Sequence, residues 1–75
     1  MPFINAKLLE GVFSDSEKAH LRKAITEAMV EIKGESIRSS TWVVFDEVKS
    51  GNWWLGDQQL NTAEIQAAEK DGSGG

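Results

Sequence analysis

The sequence predicts an α+β domain built on one βαβ unit, completed by other copies of the same chain. Three observations predict it. Residues 3–9 alternate like a half-covered strand, residues 14–33 carry the cap and stripe of an amphipathic helix, and Thr41-Trp42-Val43-Val44-Phe45 is a run of β-branched and aromatic residues. Strand, helix and strand in that order form a crossover whose two strands run parallel.

In the first strand Ile4, Ala6 and Leu8 make an apolar face, while Phe3, Asn5, Lys7 and Leu9 make a mixed one; Gly11 ends it. Ser14-Asp15-Ser16-Glu17 reads as a capping box, with the Ser14 hydroxyl accepting from the Glu17 N–H and the Glu17 carboxylate reaching back. Leu21, Ala24, Ile25, Ala28, Met29 and Ile32 then recur at helical spacing, the stripe of a helix lying on a sheet. Lys33 and a left-handed Gly34 close it. The second strand lacks alternation and reads as buried on both faces.

Lys49-Ser50-Gly51-Asn52 is a turn by composition, and Trp53-Trp54-Leu55-Gly56 a small hairpin or edge strand. Thr62 caps a short helix over Ala63 to Ala68. Residues 1–70 therefore form one domain, and Asp71-Gly72-Ser73-Gly74-Gly75 a flexible tail or a non-native addition.

A domain of 75 residues buries only a modest share of its surface, so it needs disulfides, a metal or partner subunits. Cysteine is absent and His20 is the single histidine, which removes the disulfide and the usual Cys/His zinc site. Oligomerisation is what remains. A net charge of −4 without a basic run argues against nucleic acid and anionic membranes. No apolar run approaches a membrane span, and Met-Pro-Phe-Ile-Asn lacks the cationic start of a signal peptide. A soluble, cytoplasmic protein is the expectation.

The residue with the sharpest chemistry is Pro2. Small second residues normally permit removal of the initiator, and the Pro2 ring nitrogen is then a secondary amine with a free lone pair. Partly desolvated at the head of a rigid strand, it has its charged form disfavoured and can exchange a proton with carbon near neutral pH. The same nitrogen is also able to add to a carbonyl. The bland reading is a proline that starts an edge strand, where its missing N–H does no harm.

Met-Pro, the Leu9-Glu10-Gly11 strand end, the capped helix, the apolar second strand and the Lys49-Ser50-Gly51 turn before an aromatic occur here in one order. In that order the chain resembles the 4-oxalocrotonate tautomerase family from Pro2 to about Leu60. The resemblance implies a βαβ subunit that assembles as a hexameric trimer of dimers. It also implies a small-molecule enol or 2-keto acid substrate, no metal or organic cofactor, and Pro2 as general base. On that resemblance Trp53 falls on the aromatic pocket wall, and Leu9 and Ser40 fall near the pocket.

Two departures bear on the substrate. The positions of the family's two substrate-binding arginines carry Val12 and Trp42. Neither valine nor indole forks charge-assisted hydrogen bonds onto a carboxylate as a guanidinium does. A pocket walled by Trp42 and Trp53, with Phe3 beside Pro2, suits an uncharged or aryl substrate better than a diacid. Arg38 is a candidate cation from a neighbouring subunit, set against its reading as a solvated loop arginine.

Trp54 faces away from Trp53 in an extended segment and reads as an interface residue, His20 as a helix-surface residue, and Asp46 with Glu47 as a solvated strand end. Two alternatives stay open: hydration or dehalogenation of small unsaturated acids, and a non-catalytic oligomeric module of the same fold.

Overall fold

A computed structural model describes residues 1–72. Its elements follow in the order β1 (Phe3–Leu9), α1 (Asp15–Lys33), a 3₁₀ segment (Glu35–Ser40), β2 (Trp42–Val48), β3 (Trp53–Leu55), β4 (Gln58–Leu60) and α2 (Thr62–Gly72). The chain divides into two compact units: Met1–Ala6 with Ser14–Asp46, and Lys7–Phe13 with the chain from Glu47 on. Both β1 and β2 contribute to each unit.

β1 and β2 form a two-stranded sheet. The Trp42 N–H donates to the Pro2 carbonyl at 2.9 Å, and the Glu10 N–H donates to the Val48 carbonyl at 2.7 Å. These bonds join start to start and end to end, so the strands run parallel, as the crossover requires.

The first unit holds the helix. The Glu17 N–H donates to the Ser14 hydroxyl at 3.2 Å, and the Ser14 N–H donates to a Glu17 carboxylate oxygen at 2.8 Å, so the capping box forms as read. At the far end the Gly34 N–H donates to the Val30 carbonyl at 2.7 Å. Gly34 has φ 94° and ψ 169°, which is not the left-handed helical cap expected but an extended conformation of opposite hand that essentially only glycine reaches. The polar connection after it coils into the 3₁₀ segment.

The helix stripe matches the sequence reading at Leu21, Ile25 and Met29 and is rotated from it at the other positions. Leu21, Ile25, Thr26, Met29 and Val30 are the covered positions, with Thr26 only 5% exposed, whereas Ala24, Ala28 and Ile32 face outward. Alanine adds apolar character to any face without needing cover, so it does not fix the stripe's angle. On β1, Ile4, Ala6 and Leu8 are half-buried and Phe3, Asn5 and Lys7 exposed, the alternation expected.

β2 departs from expectation. Val43 and Phe45 are half-buried, but Trp42 and Val44 are exposed, so the strand is not covered on both faces. One chain supplies one crossover helix, which covers one face of a sheet. On the uncovered face the Phe3 and Trp42 rings stack with centroids 6.5 Å apart and planes at 30°. They remain 63% and 53% exposed.

The second unit holds the hairpin. β3 and β4 pair antiparallel across a two-residue turn, Gly56-Asp57, with Trp53 opposite Leu60, Trp54 opposite Gln59 and Leu55 opposite Gln58. α2 is capped one residue earlier than expected: the Asn61 side-chain oxygen accepts from the Glu64 N–H at 2.9 Å. The Thr62 hydroxyl instead donates to the Glu10 carbonyl. α2 extends to Gly72, two residues into the segment expected to be tail, and residues 73–75 lie outside the described residues. No helix among the described residues is long and apolar enough to cross a membrane.

Gly11 has φ 81°, and a Cβ there would lie 3.0 Å from the Thr62 methyl. Gly11→Ala is therefore expected to destabilise by about 1–3 kcal/mol. Ser14→Ala, which removes the helix cap, is expected to cost about 1 kcal/mol. Urea unfolding at fixed protein concentration measures both, and an unchanged midpoint for Gly11→Ala would contradict the conformation described.

Candidate functional site

The corner at Glu10 and Gly11 builds the site in the second unit. Besides its bond to Val48, Glu10 accepts the Ser50 N–H on its carboxylate at 3.2 Å and the Thr62 hydroxyl on its carbonyl. The Gly11 carbonyl accepts from the Gln66 side-chain amide at 2.7 Å, and the Thr62 N–H donates to the Ser50 hydroxyl at 3.0 Å. These bonds tie the end of β1 to the turn before the hairpin and to α2.

Between the tied segments lies a cavity of about 210 Å³, whose walls include Leu9, Val12, Trp53, Leu60 and Ile65, with Lys7 as the one charged residue lining it. Leu9 is the deepest apolar residue, 8% exposed. Trp53 and Leu60 reach the cavity together because residues directly opposite in a hairpin share a face. Trp54, paired with Gln59, points the other way and is exposed.

Of the residues the sequence singled out, Leu9 and Trp53 are brought together here. Val12, singled out as a missing cation, is a wall of the same cavity. Leu60 and Ile65 were not foreseen. A two-residue turn at Gly56-Asp57 would have placed Leu60 opposite Trp53, and that was the signal available.

Pro2, Arg38, Ser40 and Trp42 belong to the first unit. Pro2 is half-buried immediately before β1, its carbonyl held by the Trp42 N–H. Within this chain Phe3 and Trp42 are too exposed to constitute the aromatic shelter expected around Pro2. The Ser40 hydroxyl donates to the Ile37 carbonyl at 3.2 Å, where the Thr41 hydroxyl also donates at 2.8 Å. Ser40 thus helps close the 3₁₀ segment that delivers the chain to Trp42.

Arg38 is held between two carboxylates. Its guanidinium donates to Glu27 at 2.5 and 3.2 Å and to Glu35 at 2.8 and 3.1 Å. These hydrogen bonds hold both glutamates below their ordinary value of 4.5 and raise Arg38 further. In this chain the part-exposed arginine is paired with Glu27 and Glu35. Among the described residues no group of three or more His, Cys, Asp or Glu side chains gathers to hold a metal ion.

A family model described as "Tautomerase enzyme" matches residues 2–63. A probable tautomerase K2 of Dickeya dadantii is 28% identical over 68 residues, covering 91% of this chain and all of that protein. A probable tautomerase of Helicobacter pylori is 33% identical over 63 residues, covering 81% of this chain and 91% of the relative. Among solved structures, DmpI from Helicobacter pylori superposes with a TM-score of 0.64 at 29% identity, covering 88% of this chain and 97% of DmpI.

The Arg38 cluster generates a pH prediction. A carboxyl whose value is lowered on folding contributes stability above its ordinary range, and that contribution is lost as pH falls through the lowered value. Arg38→Gln should lower the urea midpoint slightly at about pH 7 and by less at an acid pH below the lowered carboxyl values. The effect is small because the cluster is exposed. An equal deficit at both pH values would assign the loss to packing instead.

Proposed function

The chain belongs to the tautomerase family, and we propose that it is a cofactor-independent tautomerase whose general base is the Pro2 amine, exposed by loss of Met1. The family match begins at Pro2, and this is the observation that carries the reading. The Pro2 carbonyl is held by the Trp42 N–H, which supports a fixed position for the proline ring at the head of β1.

The substrate is an enol or 2-keto acid-like compound. In the ketonising direction the neutral amine removes the enol hydroxyl proton, leaving an enolate. The ammonium then delivers that proton to carbon, forming the C–H bond as the C=O bond forms. No redox change or co-reactant is needed. Leu9 and Trp53 wall the place where the substrate's carbon skeleton rests, Trp42 fixes the strand start that carries the base, and Ser40 shapes the approach to Trp42. Arg38, matched by Glu27 and Glu35, acts on substrate only if assembly releases it.

Assembly is part of the proposal. Phe3, Trp42 and Val44 on the open sheet face, and Ile32 on α1, expose more apolar surface than a lone subunit of this size carries comfortably. A homo-oligomer, the hexameric trimer of dimers, covers these surfaces and gives Pro2 the desolvation that one chain does not. The protein acts in the cytoplasm on a small molecule.

Pro2→Ala should lower turnover of phenylenolpyruvate or 2-hydroxymuconate by about 10²–10⁴-fold, the usual contribution of a positioned base. Intact mass of the natively expressed protein should lack Met1. Undiminished turnover in the variant, or full activity with Met1 retained, removes the proposal; an assembled protein inactive in both forms would be a scaffold.

A further inference from the structure

We infer that Thr41 is a positioning residue for the base: its hydroxyl fixes the exit from the 3₁₀ segment, so that the Trp42 N–H meets the Pro2 carbonyl and holds the ring at the head of β1. This rests on the reading of Pro2 as general base. Every residue involved lies in the first unit.

Once Met1 is lost, Pro2 heads the chain, and a terminal residue frays unless something ties it down. Here the tie crosses from the neighbouring strand, where the Trp42 N–H donates to the Pro2 carbonyl at 2.9 Å. The carbonyl carbon and the ring nitrogen are bonded to the same Cα, so holding the carbonyl restricts where the amine sits. A positioned base is effective only while that place is kept.

The residue before Trp42 aims its N–H. The 3₁₀ segment is anchored on α1 by the Arg38 guanidinium, which is paired with Glu27. At the exit Thr41 turns the backbone to φ −88° and ψ 122°, the extended conformation that β2 continues. The backbone bond at this turn is a weak one: the Thr41 N–H reaches the Arg38 carbonyl only at 3.4 Å, beyond the usual range. The Thr41 hydroxyl makes the shorter bond, donating to the Ile37 carbonyl at 2.8 Å, and the Ser40 hydroxyl reaches the same oxygen at 3.2 Å. A β-branched side chain is stiff about χ1, so fixing the Thr41 hydroxyl also fixes the backbone that carries it. The side chain therefore does more than the backbone bond to set the exit angle.

Thr41→Val keeps the branched shape and removes the donor, whereas Thr41→Ser keeps the donor. Amide hydrogen exchange followed by NMR reads the Trp42 N–H, and steady-state kinetics with phenylenolpyruvate or 2-hydroxymuconate read the base. Thr41→Val should speed exchange at Trp42 by about tenfold or more and lower kcat by about tenfold, with KM within about twofold, because a displaced base loses rate without losing binding. Thr41→Ser should bring both back to within about threefold of the parent. Ser14→Ala, which loosens the opposite end of α1, should leave kcat unchanged. In Pro2→Ala the valine substitution should cost less than about twofold, since no base remains to be positioned.

Unchanged exchange at Trp42 in Thr41→Val overturns the inference, as does a kcat that stays at the parent level or falls equally with and without Pro2. A loss that Ser14→Ala reproduces assigns Thr41 a general stabilising role and overturns it too. Should Thr41→Val fail to fold by circular dichroism, Thr41→Ala removes the same donor with less bulk and takes its place. Undiminished turnover in Pro2→Ala rejects the general-base reading instead, and exchange at Trp42 then still decides whether Thr41 places the strand start.

Discussion

The bend at Glu10 and Gly11 is the constraint on which the cavity-bearing half of the chain depends. Within two residues the backbone gives one N–H to Val48 and two carbonyls to Thr62 and Gln66, while the Glu10 carboxylate takes the Ser50 N–H. The bend requires a positive φ at Gly11, and the Thr62 methyl approaches so closely that a side chain there would collide with it. Each bond contributes only about 1 kcal/mol net, but they converge from segments about 40 to 55 positions away in sequence and so fix the hairpin and α2 against the strand end. Leu9, the residue before the bend, is the only apolar residue among the described residues that is buried, and even it stays 8% exposed.

That scarcity of buried apolar surface links stability to function. The sheet face bearing Phe3, Trp42 and Val44 is finished neither by α1 nor by any residue of its own unit, and the same strand starts hold Pro2. Covering the face therefore acts on the proposed base as well as on the fold. In this account assembly desolvates the amine, shelters it from competing water and lowers its affinity for a proton, so an isolated subunit would be both less stable and less active.

Local features were legible in the sequence because they depend on neighbours in the chain. The capping box at Ser14 and Glu17, the β1 alternation and the turn before Trp53 all formed where their residues predicted. What was not legible depended on partners distant in sequence. Asn61 and Thr62 are both good caps, and nothing local says that Asn61 accepts the first-turn N–H or that the Thr62 hydroxyl reaches the Glu10 carbonyl. Ala24 and Ala28 are apolar enough to suggest a helix stripe but too small to require burial, so Thr26 and Val30 on the next face over were missed. The continuous apolar run of β2 predicted a strand covered on both faces, but within this chain Trp42 and Val44 stay exposed, and the run itself does not say which face α1 covers. The Arg38 cluster was hidden in part for the same reason, since Glu27 lies on α1, although Glu35 is only three residues from Arg38 in the same 3₁₀ segment.

The central claim is that Pro2 carries a basic amine held neutral near physiological pH. Nitrogen-15 NMR titration of proline-labelled, mature, assembled protein reads that atom directly. The account predicts a single proline signal that behaves as a secondary amine and titrates below the usual α-amino range of about 7.7–8.0. A signal that stays that of an amide at every pH, or an amine that titrates within or above that range, would contradict it.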